Sequence, residues 1–303
     1  MRIGIISDSD HFMPLAGALV SQQIQVYLFY SLSPDLFINQ KVKAFSEQFH
    51  LPYTEEKDKD RDIYEWISRG KYDVCFMIGY SRLIQLDRIK NSSTQLFNIH
   101  FGPLPAYKGP IPVFWQLKNG EKSLGMVIHR LDSRFDEGAV IWAKDIPNMP
   151  HYNFRSVMII FSQICIEGVF FILQMRLNNM PILNMDRKQI PSSYHSRPGL
   201  ENVSVNWKKM TSSDVCNTIR ACNPWNKGAI TSLDMQVVKI MDAQMTNISS
   251  NAPAGSILES GDRLLVACSD GKAINISMLF FQEFFCPGWQ AHLYGMQAKK
   301  IFI

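Results

Sequence analysis

Two polar side chains, Asn98 and His100, stand two positions apart at the end of the apolar run Phe97-Asn98-Ile99-His100-Phe101. Strand residues at i and i+2 face the same way, so this amide and this imidazole can converge on one reacting atom. The chain then turns through Gly102-Pro103-Leu104-Pro105. A second, glycine-punctuated segment, Leu131-Asp132-Ser133-Arg134-Phe135-Asp136-Glu137-Gly138, can bring the Asp136 carboxylate to the imidazole. A polar donor, a titratable ring and an orienting carboxylate are what acyl-transfer chemistry requires. Taken singly, each residue has a plainer reading: a strand-end Asn or His is usually a satisfied polar group, and an Asp beside Gly is usually a turn former. Their joint presence in this order favours chemistry. His129 and Asp132 read as structural, the second shaping its loop.

The elements that must hold these residues alternate between strand and helix. Arg2–Ser7, Gln25–Tyr30, Asp73–Ile78 and Leu96–His100 read as strands, and Pro14–Gln22, Gln40–Phe49 and Ile63–Ser68 as helices. Gly109–Asn119 reads as a helix opening near Pro110 or Pro112, where proline is tolerated in a first turn. Leu124–Leu131 and Val140–Ile146 read as strands about the Asp132–Gly138 loop, and Asn153–Met180 as one long helix. This pattern specifies an α/β, Rossmann-like, doubly wound and mostly parallel sheet. Ligands in such sheets sit outside the carboxyl ends of the strands, where Asn98 and His100 fall. The first strand-to-helix turn, Ser7-Asp8-Ser9-Asp10-His11, lacks Gly-x-Gly-x-x-Gly, which disfavours a dinucleotide cofactor. No Gly-x-Ser-x-Gly supports a serine hydrolase.

Beyond Asn179 the chain turns polar and rich in turns. The expected division is residues 1–180 as a catalytic domain, 181–205 as a linker and 206–303 as a smaller domain. In that last part a helix from Trp207 to about Thr218 precedes short strands at Ala229–Leu233, Val237–Met241, Gly255–Leu258, Leu264–Cys268 and Ala273–Leu279, the pattern of a small β-barrel.

The chain has 303 residues, 46% of them hydrophobic and 19% charged, with a net charge of +4. That suits an ordinary globular protein and neither demands nor excludes nucleic acid. Six cysteines without C-x-x-C spacing read as reduced, mostly buried thiols, which points to the cytoplasm. The scattered histidines give no metal-ligand spacing. The N-terminal Met1-Arg2-Ile3-Gly4-Ile5-Ile6 reads as a strand, not a signal peptide. The apolar run Val157–Leu173, interrupted by Gln163 and Glu167, falls short of a bilayer span and reads as a buried helix, with no membrane role.

Asn98-Ile99-His100, Leu104-Pro105 with Tyr107 and Gly109, and His129-Arg130-Leu131-Asp132 with Asp136 and Gly138 resemble the signature of the folate-dependent formyltransferases. That superfamily includes methionyl-tRNA formyltransferases and amino-sugar N-formyltransferases. Asn206-Trp207, Ile219-Arg220-Ala221, Asn223-Pro224-Trp225 and Gly228-Ala229 resemble the start of its C-terminal, OB-like domain. The resemblance implies Asn98, His100 and Asp136 as the catalytic set, with N10-formyltetrahydrofolate as donor substrate and no metal. It implies a pterin slot between the Ser81-Arg82-Leu83-Ile84 loop and the Arg130–Asp136 loop, the latter through Arg130, Leu131, Asp132 and Phe135. Arg82 could equally cap a surface helix. The family often has Ser-Leu-Leu-Pro in place of Gly102-Pro103-Leu104-Pro105 and Arg in place of Lys108, which bears on the acceptor pocket.

Which amine is formylated divides the reading. From Asn206 to Ile303 there are nine Lys/Arg against seven Asp/Glu, and Ser31–Asn39 has no Lys or Arg, whereas tRNA-acting relatives carry a basic insertion there. Gripping a phosphate backbone needs basic clusters. Pro112-Val113-Phe114-Trp115 also looks more like relatives acting on small amines. A small-molecule amine, such as an amino sugar nucleotide or a biosynthetic intermediate, is therefore the expected acceptor. Methionyl-tRNA is the alternative, and a formyl-folate hydrolase or a non-catalytic folate-binding module comes after it. Phe280, Phe281, Phe284, Phe285, Trp289 and Tyr294 read mainly as core or a homodimer contact.

Overall fold

The computed structural model describes residues 1–90, 92–187 and 189–303; Asn91 and, within the expected linker, Lys188 lie outside the described residues. Two compact units form. The first comprises Met1–Pro110, Gly125–Ile146 and Met158–His195, and the second Ile111–Leu124, Pro147–Val157 and Ser196–Ile303.

The first unit is built on a seven-stranded sheet. Its strands are β1 (Arg2–Ser7), β2 (Gln25–Tyr30), β3 (Tyr53–Glu55), β4 (Val74–Ile78), β5 (Gln95–His100), β6 (Ser123–Arg130) and β7 (Val140–Pro147), in the order β3-β2-β1-β4-β5-β6-β7. The pairs from β3 to β5 are parallel and β5–β6 is antiparallel. The central strands are apolar on both faces: every residue of β4 is buried, as are Ile3–Ser7 of β1. Strands covered on both sides show that continuous pattern, so the expected doubly wound, mostly parallel sheet is observed. β3 went unrecognised in the sequence because three residues leave no periodicity to read.

Helices α1 (Met13–Ser21), α2 (Leu36–Gln48) and α3 (Asp62–Gly70) link the parallel strands, and α4 (Pro112–Lys118) and α5 (Phe154–Leu177) follow. α2 starts earlier than expected because the Asp35 side chain accepts from the Phe37 N–H at 2.9 Å and caps it. α5 exceeds its apolar run at both ends. Its 24 residues make it long and apolar enough to cross a membrane by length and composition alone, which corrects the expected shortfall. Phe161, Cys165, Val169 and Leu173, four residues apart, form a buried stripe. Gly168 lets Trp142 of β7 and Ile128 of β6 approach where any Cβ would collide, so this part of α5 is a helix packed on the sheet.

The second unit carries α6 (Leu200–Val203) and α7 (Ser212–Cys222). Its strands are β8 (Ala229–Leu233), β9 (Gln236–Ser249), β10 (Ile257–Glu259), β11 (Leu264–Ala267), β12 (Lys272–Phe281) and β13 (Phe284–Pro287). The path is β10-β11-β12-β9-β8, with β13 on β12. The two edge strands are joined through the chain end. Ile303 exchanges backbone hydrogen bonds with Ser232 of β8, while Lys300 O and the Phe302 N–H bond to Ile257 and Gly255 at the other edge. This removes both edges, as in a small barrel. Trp207 precedes the helix expected to contain it. Thr211 and Asp214 cap each other's backbone N–H groups and start α7 there, while the buried Trp207 indole donates to Thr231 Oγ1 at 2.9 Å.

The expected boundaries at 180 and 205 are linear, whereas the compact units interleave. α4 packs with α7 inside the second unit. Residues 193–195, expected in the linker, pair with the turn at 105–109 inside the first.

Candidate active site

Asn98 and His100 lie at the carboxyl end of β5, on one face of the sheet. Antiparallel register places His129 of β6 directly opposite Asn98. Opposed residues of such a pair share a face, so the two side chains meet. Asn98 Nδ2 lies 3.0 Å from His129 Nε2, and His129 Nδ1 lies 2.8 Å from Arg130 O. A carbonyl only accepts, so Nδ1 carries the ring proton and Nε2 accepts from the Asn98 amide. His129 is 3% exposed. Burial first, and the nearby His100 second, push its pKa down to about 4, against the opposing pull of Asp136. His129 is therefore a neutral acceptor at ordinary pH. It fixes which way the Asn98 amide points and leaves the second Nδ2 hydrogen available.

His100 is held at its other end. Nε2 is 2.9 Å from Tyr107 O and so donates to it. That leaves Nδ1 facing Asp136 Oδ1 at 3.5 Å, with Oδ1 also 3.7 Å from His129 Nε2. The His100 and Asp136 side chains are only 7% and 8% exposed. Asp136 reaches inward from a backbone at φ 55°, a left-handed conformation that Asp and Asn tolerate better than most residues. Its Oδ2 accepts from the Gly109 N–H at 2.8 Å, which anchors the carboxylate to the turn after β5. Next to it, Lys108 Nζ contacts Glu137 Oε1 at 2.7 Å. Gly138 is required by close approach, since a Cβ there would strike Arg130 O. The sequence-expected trio is thus brought together, with one difference. The Nε2 proton of His100 is committed to Tyr107 O, so the free amide hydrogen of Asn98 is the uncommitted donor.

The residues expected at the pterin slot fall into three groups. Ile84 is buried, and Leu131 is half-buried against the same apolar cluster as Tyr80, Met77 and Leu96. Leu83 and Phe135 stand exposed, Phe135 at 52%. These suit a flat heteroaromatic ring: a firm apolar wall and two uncovered apolar side chains. The polar members are tied elsewhere. Ser81 donates its N–H to Asp8 Oδ2 at 3.1 Å. The Arg82 guanidinium contacts Glu56 Oε1 at 3.1 Å and Asp60 Oδ1 at 3.4 Å, an ion pair instead of a helix cap. Arg130 donates to Ile182 O at 3.1 Å and lies over the Phe97 ring. Asp132 is exposed and accepts from Ser133 Oγ. Among the described residues no group of three or more His, Cys, Asp or Glu is placed to hold a metal ion.

Sequence reasoning missed His129 as a neighbour of Asn98. β5 and β6 are separated by α4, so no local pattern reports their register. Tyr107 entered the sequence reading only as part of the Leu104–Gly109 motif, with no contact to His100 expected. The aromatic group near the C-terminus divides, with Phe280 and Phe281 buried and Phe285, Trp289 and Tyr294 exposed.

Residues 3–162 match the formyl transferase family and residues 200–283 the formyl transferase C-terminal domain. A methionyl-tRNA formyltransferase of Orientia tsutsugamushi is 24% identical over 279 residues, covering 89% of each chain. A crystal structure of WlaRD, a sugar 3N-formyl transferase, with dTDP and 5-N-formyl-THF, superposes with a TM-score of 0.70 at 21% identity, covering 91% of this chain and 97% of that one. An N-formyltransferase of Helicobacter canadensis in complex with folinic acid and dTDP-3-aminofucose gives 0.72 at 20% identity, covering 91% and 98%. At these identities the two structures speak for the fold, and the sequence match carries the assignment: the chain belongs to the formyl transferase family.

Proposed function

We propose that the chain moves a formyl group from N10-formyltetrahydrofolate to the primary amine of a small molecule, an amino-sugar nucleotide being the leading class. The observation that carries this reading is the convergence of Asn98, His100 and Asp136 at the carboxyl edge of the sheet. Bound at the Ser81–Ile84 and Arg130–Phe135 loops, the folate supplies an activated formyl carbon. Asn98, aimed by His129, offers its remaining amide hydrogen to the oxygen that gains charge as the amine attacks. Asp136, with His100 Nδ1 beside it, accepts the proton the amine loses. His100 Nδ1 and Asp136 Oδ1 are 3.5 Å apart, a contact of the kind that tightens in a reacting complex. The proton ends on the departing folate nitrogen as the new carbon–nitrogen bond replaces the old one.

The small-amine reading draws on the near balance of charge in residues 206–303, on Pro112–Trp115 and on the sugar N-formyltransferases among the structural relatives. Methionyl-tRNA is the second reading, favoured by the Orientia relative. The six free cysteines support a cytoplasmic location, and exposed Phe285 and Trp289 support a homodimer, checked by light scattering of Phe285→Ser and Trp289→Ser variants. Incubating the protein with the formyl donor and a panel of amino-sugar nucleotides, including dTDP-3-aminofucose, beside methionylated initiator tRNA decides the acceptor. Transfer to a sugar amine supports the proposal. Transfer to tRNA alone replaces it, and donor hydrolysis with every acceptor makes the protein a hydrolase.

A further inference from the structure

The Tyr107 carbonyl that holds the His100 proton belongs to a short turn, and a distant segment grips that turn. The Ser193 N–H donates to Pro105 O at 3.2 Å, the Lys108 N–H to Ser193 O at 3.0 Å and the His195 N–H to Lys108 O at 2.8 Å. The Tyr107 N–H donates to Ser193 Oγ at 2.9 Å. Oγ in turn lies 3.4 Å from His195 Nε2. The His195 ring stacks on Tyr107, centroids 5.0 Å apart and planes within 15°. His195 O fills the space where any side chain on Gly109 would begin, and Gly109 is the residue whose N–H holds Asp136. Tyr107 and Gly109 have φ of 56° and 111°, both in the left-handed region. A tyrosine there costs on the order of 1 kcal/mol or more and persists only when its surroundings impose it. Three backbone hydrogen bonds, one hydroxyl and one stacked ring do so.

We propose that Ser193 and His195 are positioning residues of the active site: the strap they form fixes Tyr107 O and the Gly109 N–H, and thereby sets which nitrogen of His100 carries the proton and where Asp136 points. The strap's place in the reaction rests on the function proposed above, while its hold on His100 does not. Neither residue reaches the reacting atoms by itself. Both act through the turn, which connects two backbone groups to the two partners of one proton-transfer pair. Burial lowers the His195 pKa, which favours the neutral ring that stacks on Tyr107. Displacing catalytic groups by about 1 Å commonly costs up to 10²-fold in rate, so a small movement of the turn is enough to matter.

The test combines spectroscopy and kinetics on the full chain. Nitrogen-15 histidine labelling, with His100 assigned by loss of its signal in His100→Gln, reports the tautomer of that ring without needing an acceptor. In the unaltered protein His100 is expected to show a single Nε2–H tautomer. Ser193→Ala and His195→Ala are expected to shift it towards a mixture and to lower kcat about tenfold, with KM for the formyl donor changed by less than about twofold. Ser193→Thr and His195→Phe, which keep the hydroxyl and the stacked ring, are expected to restore both readings. Thermal unfolding measured alongside identifies any variant that has lost its fold, and the conservative pair then decides. Unchanged His100 signals in folded Ser193→Ala and His195→Ala overturn the proposal, even where activity falls. A shifted tautomer in a protein that formylates no amine leaves the strap standing and removes the proposed function instead.

Discussion

The Asn98–His129 contact and the Tyr107–Ser193–His195 contact restrain opposite ends of the same site, yet they are built in different ways. The first is made by two strands in register. Once β5 and β6 pair, Asn98 and His129 have no other place to go. The second joins residues 86 positions apart through a turn with two left-handed residues, and nothing in either segment specifies it locally. Sheet register is set by many shared hydrogen bonds and by the burial of one face. A strap depends on a few contacts, any one of which can be removed. The sheet side should therefore tolerate change in its surroundings, and the strap side should transmit it.

Substitutions at four positions put numbers on that difference. Asn98→Ala removes the uncommitted donor and is expected to lower kcat about 10²–10³-fold in the formyl-transfer assay, with thermal stability nearly unchanged. A loss below about tenfold would mean that another group holds the oxygen. Asp136→Asn keeps the left-handed backbone and the Gly109 contact but cannot take a proton. It is expected to lower kcat by about 10² or more, with KM for the donor little altered, measured by steady-state kinetics. His129→Gln retains an acceptor for Asn98 and is expected to cost about tenfold or less, whereas His129→Ala approaches the loss in Asn98→Ala. Arg82→Ala opens the ion pair with Glu56, and its expected effect is a rise of several-fold in KM for the donor with kcat within about twofold. A fall in kcat with KM unchanged would instead place Arg82 in the chemistry.

His129 also predicts a pH dependence of stability. Its folded pKa of about 4 lies below the ordinary 6.5, so the unfolded chain takes the proton first. Its neutral form costs nothing above about pH 6.5, and stability is expected to fall as pH drops from there towards 4, by on the order of 1 kcal/mol per pH unit. Chemical denaturation at several pH values measures this slope, and His129→Gln is expected to flatten it. An unchanged slope in His129→Gln would assign the titration to another group, among which His11 and His195 also have pKa values lowered by burial.

The legible and illegible parts of the molecule follow the same division. The trio was readable because Asn98 and His100 sit at i and i+2 of an apolar strand and Asp136 lies in a glycine-flanked loop. The strands of the first sheet were readable because buried parallel strands are continuously apolar. β3 carried no such signal, and α7 began later than expected because the Thr211–Asp214 cap outweighed the helical pattern starting at Trp207. The barrel's closure by Lys300–Ile303 could not be read at all, since four residues at a chain end show no period.

Side-chain type and alternation along one strand are local properties, and so the chain by itself determined that an amide, an imidazole and a carboxylate are present in the right order. Which nitrogen of His100 is committed, that His129 aims Asn98, and that Ser193 and His195 brace the turn were decided only in three dimensions. Those facts depend on register between strands separated by a helix and on closing a loop of 86 residues, and no segment of the sequence contains both partners.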